Sequence, residues 1–217
     1  MICHAQTITS GVILPKNEST FNTCCVYVPS TGINLYDNPK GKVIGKIEPN
    51  SITEKVHLAL NGQSKPLADQ YLEVVKDDIK ALKYVEQKSD FVKIYNGYWI
   101  SLSELNEKGL RIVNRMQYLI EKSPEVLGYY ATGSGLNLRK SPSTQSEIIM
   151  ILKGDLLEIK LTEETNGLWC KVIVTKYSDH PCTSKGNFDE IKLKSFTGWI
   201  KLLSDNHTPN VTYYKGC

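Results

Sequence analysis

Long apolar segments are missing from this chain of 217 residues. No run approaches the roughly 20 apolar residues that a helix needs to span a bilayer, so we expect no membrane span. An excess of one charge is also missing, because 26 Lys and Arg stand against 23 Asp and Glu, a net charge of +3. Proteins that bind nucleic acid usually carry a much stronger basic bias, so we expect no nucleic-acid partner.

The motifs that carry catalytic or cofactor chemistry are missing as well. There is no glycine-rich loop of the kind that cradles phosphate, and no pattern sets two carboxylates across a cleft. A zinc site would need paired short spacings such as Cys-x-x-Cys, which the chain does not contain. Neither the histidines nor the candidate zinc ligands lie in a recognisable motif: His4, His57, His180 and His207, and Cys170 and Cys182 with His180. We therefore expect a protein that is not an enzyme and has no cofactor or metal.

Six cysteines are a high count for a small protein, and they favour an oxidising compartment. The first residues, MICHAQ, are typical of the end of a secretory signal peptide, with small residues at Cys3 and Ala5 before Gln6. The charged and apolar regions of a signal do not precede them, so the match is either a remnant or chance, and we favour the remnant. We expect an exported protein, periplasmic, secreted or at the cell surface. A disulfide between Cys170 and Cys182 would close the loop that separates them.

The chain contains the same order of short blocks twice, which indicates two copies of one small β domain. Each copy has a strand, a Pro turn, an apolar strand and two later strands, with alternation typical of β structure. In the first copy the blocks are VYV (26–28), INLYDNP with VIGKIEPN (33–39 and 43–50), FVKI (91–94) and GYWI (97–100). In the second they are YYA (129–131), LNLRKSP with IIMILKGD (136–142 and 148–155), WCKV (169–172) and TGWI (197–200).

These blocks resemble the bacterial SH3-like domains, whose pattern includes Leu-Asn-[Leu/Val]-Arg-x-x-Pro, a Gly-[Asp/Asn] turn, Trp-x-[Lys/Arg]-[Val/Ile] and Gly-Trp-[Ile/Val]. The second copy matches nearly all of it, and the first departs at Tyr36, Pro49 and Phe91. The resemblance implies an all-β fold of two small, strongly bent SH3-like β-barrels in tandem. Such domains bind ligands of the cell envelope, often cell-wall peptide, and commonly accompany a lytic or peptidase domain.

The repeat and the segments between its blocks predict the following organisation. We expect a signal-peptide remnant and extended lead-in over residues 1–21, a first SH3-like domain over 22–105 with an insertion at about 50–78, a connector over 106–126, a second SH3-like domain over 127–205 with an insertion at about 173–195, and a polar, partly disordered tail over 206–217. The first insertion reads as a hairpin with strands over 55–60 and 71–75. The connector shows helical spacing before Ser123 and Pro124, although residues 110–113 also fit an edge strand.

The resemblance implies a ligand-binding face with aromatic and polar side chains, because ring faces supply contact area at low entropic cost. The candidates are Tyr27, Tyr36, Tyr129, Tyr130, Arg139 and Trp169. Tyr27 and Tyr130 could instead be core residues, and Arg139 could brace the turn before Pro142. For Trp99 and Trp199 we favour the core, because so small a barrel needs large residues to close it.

We therefore expect an exported binding protein that recognises a cell-wall peptide or glycan. Two alternatives stay open. One is a protein–protein interaction module whose partner is an envelope protein. The other is an accessory chain that targets a separate peptidoglycan hydrolase.

Overall fold

A computed structural model describes residues 10–18, 26–50, 52–53, 55–76, 79–133, 135–184 and 188–214. The expected signal-peptide remnant and the cysteines at positions 3, 24, 25 and 217 lie outside these ranges. Strands dominate, which confirms the all-β class. The chain divides into two compact units, Met1–Arg115 and Met116–Cys217. Among the helices that the structure describes, none is long and apolar enough to cross a membrane.

The first unit is built on one antiparallel sheet. Its strands are β1 (Gly11–Pro15), β2 (Ile33–Tyr36), β3 (Val43–Asn50), β4 (Lys55–Leu60), β5 (Gln63–Pro66), β6 (Leu72–Lys76), β7 (Ile79–Lys88), β8 (Phe91–Ile94), β9 (Trp99–Ser101) and β10 (Leu110–Asn114). Helix α1 (Leu102–Glu107) precedes β10, and 3-10 turns cover Asp69–Tyr71 and Tyr95–Gly97. The sheet order is β10-β1-β7-β8-β9-β2-β3-β4-β5, and β6 also pairs with β7.

The core of the first unit follows from the alternation along its strands. In β2, Ile33 and Leu35 are fully buried, whereas Asn34 and Tyr36 between them are partly exposed. Apolar side chains on the inward face of the neighbouring strands complete the cluster: Ile47, Leu58, Leu82, Tyr84, Val92, Ile94 and Ile100. Burial of each aliphatic side chain contributes about 1.5–3 kcal/mol to the stability of the fold. The sum determines which face of the sheet is buried and which faces solvent.

The second unit has a smaller antiparallel sheet. Helix α2 (Arg115–Lys122) and a 3-10 turn (Ser123–Glu125) lead into β11 (Gly128–Ala131), β12 (Leu136–Arg139), β13 (Ile148–Leu152), β14 (Leu157–Asn166) and β15 (Trp169–Tyr177). A short helix, α3 (Phe188–Ile191), precedes β16 (Lys192–Lys201), and the last strand is β17 (Val211–Tyr214). The sheet order is β13-β12-β16-β15-β14-β11-β17.

The repeated blocks occupy equivalent strands in the two units. The order β7-β8-β9-β2-β3 in the first unit corresponds to β14-β15-β16-β12-β13 in the second. A β-bulge falls between Leu35 and Tyr36 in one and between Leu138 and Arg139 in the other. The upstream blocks differ, since Val26 makes a parallel bridge to β7 whereas β11 runs antiparallel to β14. The repeat therefore extends to pairing order and to a shared irregularity, but not to every strand.

The secondary structure differs from the predicted segments at several points of the first unit. Residues 110–114 form β10, which pairs with β1 along its whole length, so the alternative of an edge strand holds there and the helix begins only at Arg115. A hairpin occupies the first insertion, but β4 pairs with β5 across an Asn61-Gly62 turn, and β6 pairs with β7 instead. Asn61 and Gly62 both have positive φ, which suits the turn of a two-residue hairpin.

In the second unit, much of the expected insertion at 173–195 is strand. Ile173 to Tyr177 extend β15 and pair with β16, leaving residues 178–184 and 188–191 outside the ladder. The tail is also more ordered than predicted, because β17 pairs with β11 from Val211 to Tyr214. The longer β15 and the strand β17 have one cause: both stretches are half polar, and pairing with partners distant in the sequence makes them strands.

Candidate functional site

The outward face of the second unit carries a row of aromatic and basic side chains across three strands. Lys171 on β15 lies opposite Trp199 on β16, which lies opposite Arg139 on β12. Residues opposite each other in an antiparallel sheet share a face. Two positions along β15, Trp169 lies opposite Lys201 on the same face. We call this set the aromatic face of the second unit: Asn137, Arg139, Trp169, Lys171, Trp199 and Lys201.

All six side chains of this face are partly exposed, whereas the residues that alternate with them are buried. Leu138, Cys170 and Ile200 are 0 % exposed and point into the core. Gly198 lies so close to β12 that a Cβ atom there would meet the carbonyl oxygen of Arg139 at 2.7 Å. Close packing on the inner side therefore positions the rings and cations on the outer side.

Each cation of the aromatic face is held by a neighbouring acceptor. Lys171 Nζ lies 2.8 and 3.0 Å from the two carboxylate oxygens of Glu164, and Lys201 Nζ lies 2.6 Å from Oδ1 of Asp205. Arg139 donates from Nη1 to the carbonyl oxygen of Ser146 at 2.5 Å. A lysine ammonium has three donors and a guanidinium has five N–H groups, so each keeps donors for a ligand. The face can therefore offer ring surfaces and oriented donors together.

The equivalent face of the first unit has a different composition: Asn34, Tyr36, Phe91, Lys93, Trp99 and Ser101. The rings of Tyr36 and Phe91 meet edge to face, with centroids 5.3 Å apart. Lys93 Nζ lies 5.4 Å from the centroid of the Trp99 ring and 3.3 Å from Glu86 Oε2. The rings of this face therefore contact one another and Lys93 within the unit. The face carries one cation, whereas the aromatic face of the second unit carries three.

A polar groove of about 340 Å³ borders the face of the first unit. Asn34, Tyr36 and Ser101 line it together with Glu104 of α1 and Lys108, which follows α1. Glu104 Oε1 accepts a 2.9 Å hydrogen bond from the backbone N–H of Asn34 and lies 3.6 Å from Lys108 Nζ. Its Oε2 is buried and has no hydrogen-bond partner among the described residues. The carboxylate therefore ties α1 to β2.

Three of the predicted ligand-binding residues are core residues. Tyr27, Tyr129 and Tyr130 are 3 %, 0 % and 5 % exposed, so the prediction that they present ring faces to a ligand is wrong. For Tyr27 and Tyr130 the core alternative is confirmed. Tyr129 donates from its hydroxyl to the carbonyl oxygen of Leu119 at 2.5 Å and packs edge to face on Tyr213. Burial raises the pKa of Tyr129 far above its ordinary value.

The structure places the remaining candidates at the surface. Tyr36, Arg139 and Trp169 are each partly exposed, the first in one unit and the other two in the second. Arg139 also braces the turn after β12, as its alternative role predicted. Trp99 is 7 % exposed, so it is buried as expected, although it lies on the outward face beneath Lys93; Trp199 is partly exposed and belongs to the aromatic face.

The predicted disulfide between Cys170 and Cys182 is wrong. Cys182 is disulfide-bonded, but Cys170 is a buried free thiol. Its Sγ lies 3.4 Å from the carbonyl oxygen of Thr162, and alternation along β15 turns it into the core. Burial raises the pKa of Cys170 to about 11.

Sequence reasoning missed four members of the aromatic face: Asn137, Lys171, Trp199 and Lys201. A signal for Trp199 was present, because it stands between Gly198 and Ile200, and period-two alternation turns it away from their buried face. Among the described residues, no group of three or more His, Cys, Asp or Glu side chains is arranged to hold a metal ion.

Comparisons with protein-family models, with curated proteins and with solved structures find no match to this chain.

Proposed function

We propose that this chain is a non-catalytic binding protein of the cell envelope, exported and built of two bacterial SH3-like barrels. We assign ligand binding to the aromatic face of the second unit, and the ligand to cell-wall peptide or glycan. The observation that carries the proposal is that two partly exposed tryptophans, Trp169 and Trp199, share one sheet face with the cations of Arg139 and Lys171.

The chemistry of this face suits a ligand that has flat surfaces and oxygen acceptors. Tryptophan rings bury a large area at low entropic cost and present a polarised π face. Peptide planes and sugar rings offer surfaces that stack on them, and peptide carboxylates accept from Arg139 and Lys171. The ion pairs with Glu164 and Asp205 hold the lysines in place, and an ordered face loses less entropy when a ligand binds.

The described cysteines also favour binding over thiol catalysis. A cysteine nucleophile needs an accessible thiolate, normally through a lowered pKa. Cys170 is buried and its pKa is raised to about 11, so it is protonated at neutral pH, and Cys182 is in a disulfide. Neither side chain supplies a thiolate.

Retention of the purified chain on intact peptidoglycan sacculi, at low and high salt, tests this proposal. We expect salt-resistant retention that Trp169→Ala and Arg139→Ala each reduce about tenfold or more, because ring and charge contacts at a binding centre dominate affinity. Phe91→Ala is the matched control, since Phe91 is the equivalent of Trp169 in the first unit and its loss should leave retention unchanged. Retention that high salt abolishes, or that both variants leave intact, would overturn the assignment.

An envelope protein as the partner is the second candidate. Six large apolar side chains among the described residues of the second unit are exposed and favour it: Leu127, Ile148, Ile151, Leu156, Ile173 and Leu193. This candidate would be selected if the unmodified chain did not bind sacculi but bound an envelope protein, and if that binding required Trp169 and Trp199.

A further inference from the structure

The two units differ at one edge of their sheets. In the first unit, β3 pairs with β2 on one side and with β4 on the other. In the second unit, β13 pairs with β12 and ends the sheet, and no described strand covers its other side. Gly45 and Met150 hold the same register position, opposite Leu35 and Leu138. In the first unit β4 covers this edge from Gly45 onward, whereas in the second unit all of β13 from Ile148 to Leu152 is the uncovered edge among the described strands.

The open edge carries apolar side chains where a protected edge would carry charge. Strand β13 reads Ile148-Ile149-Met150-Ile151-Leu152, without a charged residue or a proline. Ile148 is 45 % exposed and Ile151 is 60 % exposed. At the position of Ile151 the first unit has Lys46, which is ion-paired with Glu48. Natural edge strands are usually blocked by Lys or Pro, and an uncharged, exposed edge is a template for another strand.

The edge is self-complementary about Met150. On β12, Leu138 lies opposite Met150, and its two neighbours Asn137 and Arg139 lie opposite Ile151 and Ile148. The bulge leaves Ile149 without an opposite residue, so Ile148 and Ile151 are each one register position from Met150. With Ile149 passed over in the new pairing as it is against β12, an antiparallel second copy centred on Met150 places Ile148 of one chain opposite Ile151 of the other, twice. The flanking charges, Glu147 and Lys153, have opposite sign and come to neighbouring positions at each end. Both are exposed.

We propose that the second unit forms a two-fold dimer in which β13 of two copies pairs antiparallel about Met150. Such an isologous contact continues the sheet across both chains and removes the open edge. It buries two pairs of isoleucines on the outer face, next to Asn137 and Arg139, which lie opposite Ile151 and Ile148. The contact is small, so the dimer is in exchange with monomer. The proposal does not depend on the proposed ligand.

Sedimentation velocity of the whole chain, over about two decades of concentration, tests the dimer. We expect a reversible shift from monomer to dimer as concentration rises. Ile151→Glu and Ile148→Lys each place an unpaired charge against isoleucine and should each raise the dissociation constant at least about tenfold. The double variant Ile148→Lys with Ile151→Glu sets the introduced charges opposite each other in both contacts and should restore much of the dimer.

The control is Leu193→Lys, which removes a leucine that is 59 % exposed on β16, away from β13. It should leave the equilibrium unchanged, and circular dichroism should show all variants folded. A chain that stays monomeric throughout would overturn the proposal. So would a dimer that Ile151→Glu does not weaken, or one that the double variant fails to restore.

Discussion

Tyr177 donates a hydrogen bond from its hydroxyl to Oε2 of Glu158 at 2.7 Å, and both side chains are buried in the second unit. Oε1 of Glu158 lies 3.9 Å from Lys160 Nζ, at the limit of an ion pair. Burial, and then the neighbouring Glu158, raise the pKa of Tyr177 well above its ordinary value. A buried carboxylate is costly unless it is hydrogen-bonded, so this bond is what makes an acid tolerable inside the unit.

We expect Tyr177→Phe to lower the free energy of unfolding of the second unit by about 1–3 kcal/mol, because it leaves a buried carboxylate oxygen without its donor. Urea unfolding followed by circular dichroism measures the change. Glu158→Gln is the control, since its amide oxygen still accepts from Tyr177 and the buried charge is gone; it should cost less than Tyr177→Phe. The reverse order would show that the charge, and not the hydrogen bond, stabilises the site.

The thiol of Cys170 should be inert in the folded protein. It is 0 % exposed, and its pKa of about 11 leaves almost no thiolate at pH 8. In the absence of reductant at pH 8, we expect iodoacetamide to label Cys170 in the unfolded protein and not in the native protein. Peptide mass spectrometry gives the readout. Cys182 should stay unlabelled in both states until reductant is added, because it is in a disulfide. Labelling of Cys170 in the native protein would contradict its burial.

The repeat explains how much of this fold could be predicted. The matching blocks predicted equivalent positions for Tyr36 and Arg139. In the structure a β-bulge falls at each of them, and each lies opposite a tryptophan, Trp99 of β9 or Trp199 of β16. Such features are local, so two copies of a pattern reveal them. The partners of β1 and β17 were not predictable in the same way, because each pairs with a strand about 70 or more residues away in the chain.

The candidate site was predicted less well because family resemblance points to residue types but not to sheet faces. Tyr129 and Tyr130 are adjacent, yet both are buried: Tyr129 is covered by Tyr213 of β17, a strand in the segment that the sequence predicts to be a partly disordered tail. For Cys170 the sequence did contain the deciding signal. Alternation with Trp169 and Lys171 already turned it inward, away from a loop cysteine.

The two equivalent tryptophans should differ in their contribution to stability. Trp99 is 7 % exposed, beneath the ammonium of Lys93, whereas Trp199 is partly exposed. We expect Trp99→Ala to lower the free energy of unfolding by about 3–5 kcal/mol, the usual cost of emptying a buried aromatic site. Trp199→Ala should cost roughly half of that or less, because part of the ring already faces water. Thermal and urea unfolding of both variants give the comparison, and equal losses would contradict the difference in burial.

Alkaline pH should destabilise the first unit through Tyr84. This side chain is 1 % exposed, and burial raises its pKa from 10.0 to about 12, while the Arg115 guanidinium acts in the opposite direction. Between pH 10 and pH 12 the unfolded chain therefore releases the phenolic proton while the folded chain keeps it. The folded state binds more protons in this window, so stability falls as pH rises, and it is fully present below pH 10.

A shift of this size corresponds to roughly 2–3 kcal/mol lost across that window. Urea unfolding at pH 9 and pH 11.5 measures the loss, and Tyr84→Phe should show a smaller loss than the unmodified chain because it has no proton to release. Tyr95→Phe is the matched control: Tyr95 is 46 % exposed, and its replacement should leave the pH dependence unchanged. If Tyr84→Phe and the unmodified chain lost stability in parallel, the alkaline transition would belong to other groups, such as the buried tyrosines of the second unit.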